Sequence, residues 1–186
     1  MLEIDVPAGE LYGDIDPKTG KKMFINTEAT KLCLEHSLVS VSKWEMKWHK
    51  PFLSKEEKTN EETLDYIRCM TLTQNVNPNV YRCLTSKNIS DIIEYINDPH
   101  TATTVHENQQ APSSREIPTS ELIYYWMISY NIPVDICQKW HLNRLLTLIR
   151  VFNVKNAPPK KMSTQELLSR NSALNKARSQ RLHSKG

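Results

Sequence analysis

Leu2, Ile4 and Val6 alternate with polar neighbours, the period of a strand that buries one face. Met23-Phe24-Ile25 and Leu32-Cys33-Leu34 are short apolar runs of strand length. Before them, Asp16-Pro17-Lys18-Thr19-Gly20 has turn chemistry, with proline fixing φ and glycine accepting a left-handed conformation. Residues 1–36 are therefore predicted to form a small β region of antiparallel hairpins. The period then becomes helical. Leu38, Val41, Trp44 and Trp48 fall on one helical face that runs up to Pro51. A polar loop over 54–59 precedes a helix from about Asn60, with Leu64, Ile67 and Met70 inward. A short helix after Asn77-Pro78 brings in Val80, Tyr81 and Leu84. Ile89, Ile92, Ile93 and Ile96 give the i, i+3, i+4, i+7 spacing of an amphipathic helix, stopped at Asp98-Pro99.

Thr101-Ala102-Thr103-Thr104-Val105 reads as a strand, and residues 107–118 as an exposed loop rich in Pro and Ser. Thr119 or Ser120 can cap the next helix, with Glu121 favoured in its first turn and Leu122, Ile123, Trp126, Met127 and Tyr130 lining it. The strongest helix is predicted over 134–155. Leu142, Leu145, Leu146, Ile149 and Phe152 share one face, and Trp140, Leu148 and Val151 extend apolar character around it. A helix apolar nearly all round is normally buried, so this one is expected at the centre of the fold. Asn156-Ala157-Pro158-Pro159 ends it, and Ser163-Thr164-Gln165-Glu166 spells a capping box. The final helix, over about 164–181, carries only a thin stripe of Leu167, Leu168, Leu174 and Ala177, too little to gain much from packing on its own domain. The expected fold class is α+β, mainly helical, with a small N-terminal antiparallel β region and a protruding C-terminal helix. A body over 1–157 (β-rich over 1–36, mainly helical over 37–157) is followed by a basic helical arm over 158–186.

Charge sharpens that division. Residues 150–186 hold nine Lys/Arg and one acid, Glu166; taken from totals of 24 and 21, this leaves 15 basic and 20 acidic residues before them. The net charge of +3 thus splits into about −5 for the body and +8 for the tail, the pattern of an interaction tail. Cys33, Cys69, Cys83 and Cys137 form no CxxC pair and read as reduced thiols. The N-terminus lacks the basic start and apolar run of a signal peptide, and the most apolar stretch, 123–136, is too short to span a bilayer. A cytosolic setting is expected.

Chemistry finds little support. Cys33/His36 and Cys137/His141 have two-ligand metal spacing, but buried cysteine is commonly a plain hydrophobe, so no metal is expected. No GxSxG or phosphate-binding glycine loop occurs among only four glycines. Glu61-Glu62 with Asp65 reads as a solvated helix start. A non-enzyme without cofactor is expected. Trp44 and Trp48, interleaved with Lys43, Lys47 and Lys50, could stack nucleobases, yet they share the face of Leu38 and Val41 and read as core, with the lysines extending outward. The basic arm admits three uses: a plain solvated helix, a phosphate-binding arm, or a docking helix for an acidic protein. No aromatic residue follows Phe152, and the leucine stripe suits a protein groove, so a protein partner ranks first and nucleic acid second. The predicted contact set is Lys160, Lys161, Leu167, Arg170, Leu174, Lys176, Arg178, Arg181 and Lys185.

Leu34-Glu35-His36-Ser37-Leu38-Val39-Ser40-Val41-Ser42-Lys43-Trp44, followed by Trp48-His49-Lys50-Pro51-Phe52, resembles a segment of tail assembly proteins of long-tailed bacteriophages. Ser120-Glu121-Leu122-Ile123-Tyr124-Tyr125-Trp126-Met127, the run from Trp140 to Val151, and Pro158-Pro159-Lys160-Lys161-Met162-Ser163 resemble them too, so the similarity covers nearly the whole chain. The resemblance implies a non-catalytic assembly chaperone in the host cytoplasm. Such proteins coat the tape measure protein, recruit the major tail protein and leave before the virion is complete. It implies no cofactor, suggests self-association in many copies, and supplies no individual binding residues. The alternatives are a structural tail or neck component retained in the virion, and a nucleic-acid-binding module. Many members of that family are made in two forms by frameshifting, and Pro158-Pro159-Lys160 is compatible with a slippery codon run.

Overall fold

The computed structural model describes residues 1–15, 22–104, 117–156 and 164–182. Strand β1 (Leu2–Val6) pairs antiparallel with β4 (Thr30–Leu34), in a register that sets Leu2 opposite Leu34 and Val6 opposite Thr30. Alternation places Ile4, Val6, Leu32 and Leu34 on the buried face. Strand β2 (Gly9–Ile15) pairs antiparallel with β3 (Lys22–Thr27), with a register shift between Tyr12 and Ile15. The antiparallel β region is present as expected, but its layout differs. Only β2–β3 is a local hairpin, while β1 and β4 close around it as a separate two-stranded sheet. Gly9 sits where a Cβ would come within 2.7 Å of Cys83 Sγ, so a side chain there would require the Cys83 side chain or the ribbon to shift. The turn expected over 16–20 lies outside the described residues.

Helix α1 (Leu38–Trp48) starts at Ser37, whose hydroxyl accepts from the Ser40 N–H while the Ser40 side chain accepts from the Ser37 N–H. Thr59 and Glu62 cap α2 (Asn60–Met70) the same way, and Thr85 and Asn88 cap α3 (Ser86–Asn97). A 3-10 turn, Pro78–Cys83, supplies buried Val80 and Tyr81. Thr119 caps α4 (Ser120–Ser129), which buries Ile123 and Met127. Leu38, Val41 and Trp44 are buried on the predicted face of α1, and Ile67 and Met70 on that of α2. The α3 stripe is half satisfied: Ile92 is buried, whereas Ile93 is 51% exposed.

Three expectations fail. Residues 101–104 form no strand, and Val105 lies outside the described residues. The helix expected over 134–155 is broken into α5 (Val134–Cys137) and α6 (Leu142–Asn156). The backbone between them bonds instead to the segment entering α1: Val39 N–H donates to the Gln138 carbonyl at 3.4 Å, and Leu142 N–H to the His36 carbonyl at 2.7 Å. Helix α6 then buries only Leu142, Leu145 and Ile149, and Val154 is exposed. The central position belongs to α1, which packs against both α2 and α4. Lastly, Glu62 and Asp65 are not solvated but buried. Glu62 meets Lys50 at 2.6 Å and the Thr59 N–H at 2.8 Å; Asp65 meets Lys47 at 2.5 Å and the Trp48 indole N–H at 2.9 Å. The Lys50 hydrogen bond, with the Thr59 N–H, holds the Glu62 carboxyl below its ordinary pKa.

Glu45, also buried, ties three segments together. Its carboxylate accepts from the Phe52 N–H and from the Ser120 N–H, each at 2.7 Å. Trp44 beside it donates its indole N–H to the Glu62 carbonyl at 2.9 Å. The chain divides into two compact units, Met1–Val154 and Lys155–Gly186. No helix among the described residues is long and apolar enough to cross a membrane. Replacing Glu45 by Leu strands two buried N–H donors and should lower unfolding free energy by about 2–6 kcal/mol, at roughly 1–3 kcal/mol per unsatisfied group. Glu45→Gln, which keeps one acceptor, should cost less. Urea denaturation of both variants checks this, and a Leu variant within about 1 kcal/mol of wild type would remove Glu45 from this role.

Candidate functional site

The arm contains α7 (Thr164–Leu182), which has no buried residue. Leu167 and Leu174 are 45% and 46% exposed, and Leu168 is 65% exposed. Seven residues are nearly two turns at about 3.6 residues per turn, so Leu167 and Leu174 stand one above the other. Arg170, Arg178 and Arg181 fall within roughly 60° of that line, whereas Lys176 projects on the opposite side. Five predicted contact residues therefore share one face: Leu167, Arg170, Leu174, Arg178 and Arg181. Lys160, Lys161 and Lys185 lie outside the described residues, as does Ser163 of the expected capping box. Glu166 is the single acid in the helix and sits in its first turn, where the helix dipole favours a negative charge.

The face is apolar in the middle and guanidinium-rich on its flanks. Arginine presents a planar fork that pairs two-to-two with a carboxylate, and leucine contributes about 1.5–3 kcal/mol when fully covered. Such a face offers carboxylate-pairing groups and coverable apolar area side by side. Helix α7 contains no aromatic ring for stacking on bases. In the body, Trp44 is buried and Trp48 is tied to Asp65, so the Trp–Lys run of α1 does not form a stacking platform.

The metal-spaced pairs are pulled apart by the fold. Cys33 Sγ lies 3.7 Å from Met1 Sδ, while His36 turns inward to Tyr66, its Nδ1 at 2.5 Å from the hydroxyl. Cys137 is buried, and His141 Nε2 lies 3.0 Å from the Tyr95 carbonyl. Among the described residues no group of three His, Cys, Asp or Glu is arranged to hold a metal ion.

What the fold assembles instead is a cluster of three histidines. The rings of His36 and His141 meet edge to face at 5.1 Å, and His100 packs on His141 at 4.0 Å. Tyr95 flanks both His100 and His141 and donates its hydroxyl to Glu35 at 2.8 Å. Burial pushes the His36 imidazole down to about 3, helped by repulsion from His141 and His100. Burial also lowers His141, against the opposing pull of the Tyr95 carbonyl. Both are neutral at neutral pH and act as hydrogen-bonded pins between the entry to α1, the end of α3 and the start of α6. Residues 36, 100 and 141 carry no local motif, so nothing short of the tertiary fold reveals the cluster.

A histidine whose folded pKa lies below its unfolded value of about 6.5 stabilises fully above that pH. That contribution is then lost as pH falls from about 6.5 towards 3. Stability should decline over this window by at most about 1.4 kcal/mol per pH unit for each such histidine. His36→Gln, which hydrogen-bonds but cannot titrate, should flatten the slope between pH 6.5 and 5, as read by urea denaturation at each pH; an unchanged slope would remove His36 as its source. Compared with family models, curated proteins and solved structures, the chain matches none.

Proposed function

We propose that this chain is a non-catalytic assembly factor for the tail of a long-tailed bacteriophage. In this reading it works in the host cytoplasm, holds the tape measure protein through α7 and brings major tail protein to it. The observation that carries the reading is a nineteen-residue helix that buries nothing and lines two leucines with three arginines on one face. A solvated helix has no need of exposed leucines in register, and a helix laid in a groove uses that spacing. The partner this face fits is itself helical and acidic along one side. Many weak copies along a long partner give cumulative hold while each contact remains releasable, which suits a factor that departs when the tube has formed.

Nucleic acid is the second reading, favoured by the arginines alone. It differs in two measurable ways: affinity should fall with salt at a slope set by the number of phosphates neutralised, and the leucines should be dispensable.

Co-expression with a tape measure protein tests the proposal. Wild type should keep the partner soluble. Leu167→Ser with Leu174→Ser should abolish that, Arg170→Gln with Arg178→Gln should reduce it, and Lys176→Gln should leave it unchanged. Equal solubilisation by a chain ending at Asn156 would refute α7 as the docking element. Mass spectrometry of purified virions separates a departing factor from a retained tail or neck component, since stoichiometric presence belongs only to the latter.

A further inference from the structure

We propose that the groove beside the first turns of α1 is a second docking site, which takes an acidic partner segment through one apolar anchor side chain and its flanking carboxylates. The groove encloses about 330 Å³, within the range of sites that receive a ligand group. Val39, Cys69, Met70 and Leu72 give it an apolar lining, and Leu72 is 53% exposed. Lys43 and Lys139 line it as well, both exposed.

The charge at this place is the informative part. The unit Met1–Val154 is acidic overall: Lys155–Gly186 holds eight of the 24 cations and one of the 21 acids, leaving 16 against 20. Two other lysines in or just after α1 are already committed, Lys47 to Asp65 and Lys50 to Glu62. Lys43 and Lys139, by contrast, pair with no carboxylate among the described residues. The one acid lining the groove, Glu35, is occupied: its carboxylate meets the N-terminal ammonium at 3.0 Å and accepts from the Tyr95 hydroxyl at 2.8 Å. A ligand therefore meets two uncommitted ammonium groups around an apolar hollow. A leucine-type side chain fills the hollow, and carboxylates on either side of it reach the lysines. A basic segment is repelled, and a purely apolar one leaves the lysines without partners. The site lies wholly within Met1–Val154 and does not rest on the reading given to α7.

Cys69, half-buried in the lining, reports occupancy directly. The test uses the full chain and a twelve-residue peptide with a central leucine flanked by glutamates. Its rate of N-ethylmaleimide modification at Cys69 is followed by mass spectrometry, with Cys83 as internal reference. The peptide should protect Cys69 saturably. The same peptide with Lys for Glu, or with Ser for Leu, should not. Lys43→Glu with Lys139→Glu, both exposed and so harmless to folding, should weaken protection by about tenfold or more. Arg170→Gln with Arg178→Gln should leave it intact, which keeps this site distinguishable from α7. Equal protection by the lysine or serine peptide, or by wild type and the double Lys variant, would overturn the proposal. Protection by decanoate but not by the peptide would also overturn it, making the groove a small-amphiphile site.

Discussion

A buried carboxylate on α1 holds the body of this protein together. Glu45 forms no ion pair among the described residues; two backbone N–H groups, from Phe52 and Ser120, share its charge. One belongs to the loop that leaves α1 and the other to the first turn of α4. A helix that begins seventy-five residues away in sequence is thereby fixed to the middle of the core. Trp44, one residue earlier, reaches α2 through its indole N–H. The same short stretch of α1 thus sets the positions of both neighbouring helices, and hydrophobic burial of Val41, Ile67, Ile123 and Met127 fills the space so defined. A buried charge is tolerated when its hydrogen bonds are complete, and here the donors would themselves be orphaned without it.

The entry to α1 carries the second set of constraints. His36 gives its carbonyl to Leu142, its ring to Tyr66 and its edge to His141. Val39 donates to Gln138. These contacts divert the backbone at 138–141, so a segment with unbroken helical patterning becomes two helices. The diversion also brings Lys139 beside the first turns of α1, where it and Lys43, each paired with no carboxylate among the described residues, border the groove. The body is therefore acidic in sum but locally cationic at one apolar hollow. The arm is cationic throughout and apolar along one line. Among the described residues, no buried side-chain polar atom is left without a hydrogen-bond partner.

Much of the architecture was legible from residue order. The period-2 run at the start, the isoleucine spacing of α3, the leucine spacing of α6 and the turn and cap residues all act locally. The helix start at Thr119, named from the sequence, depends on a side chain reaching an N–H three residues away, and the starts at Thr59 and Thr85 found in the structure follow the same local rule. Strand β2 escaped because GELYGDI has two glycines and no clean alternation; it is held by its partner β3 rather than by its own propensity. Glu62 and Asp65 were misplaced for a related reason. A carboxylate near a helix start is usually solvated, and only the approach of Lys47, Trp48 and Lys50 from α1 and the residues just after it makes it cheap to bury.

The sequence by itself determined the α+β class, the helix borders set by local caps, and a basic, leucine-striped end that its own composition leaves little to pack against. Each of these follows from interactions within a few residues or from summed charge. Tertiary structure alone decided that α1 rather than α6 is central, that the helix over 134–155 breaks, that three distant histidines cluster, and that Lys43 and Lys139 share one hollow. Those outcomes depend on hydrogen bonds and burial between segments dozens of residues apart, and loop closure carries no local signature for a one-dimensional pattern to register.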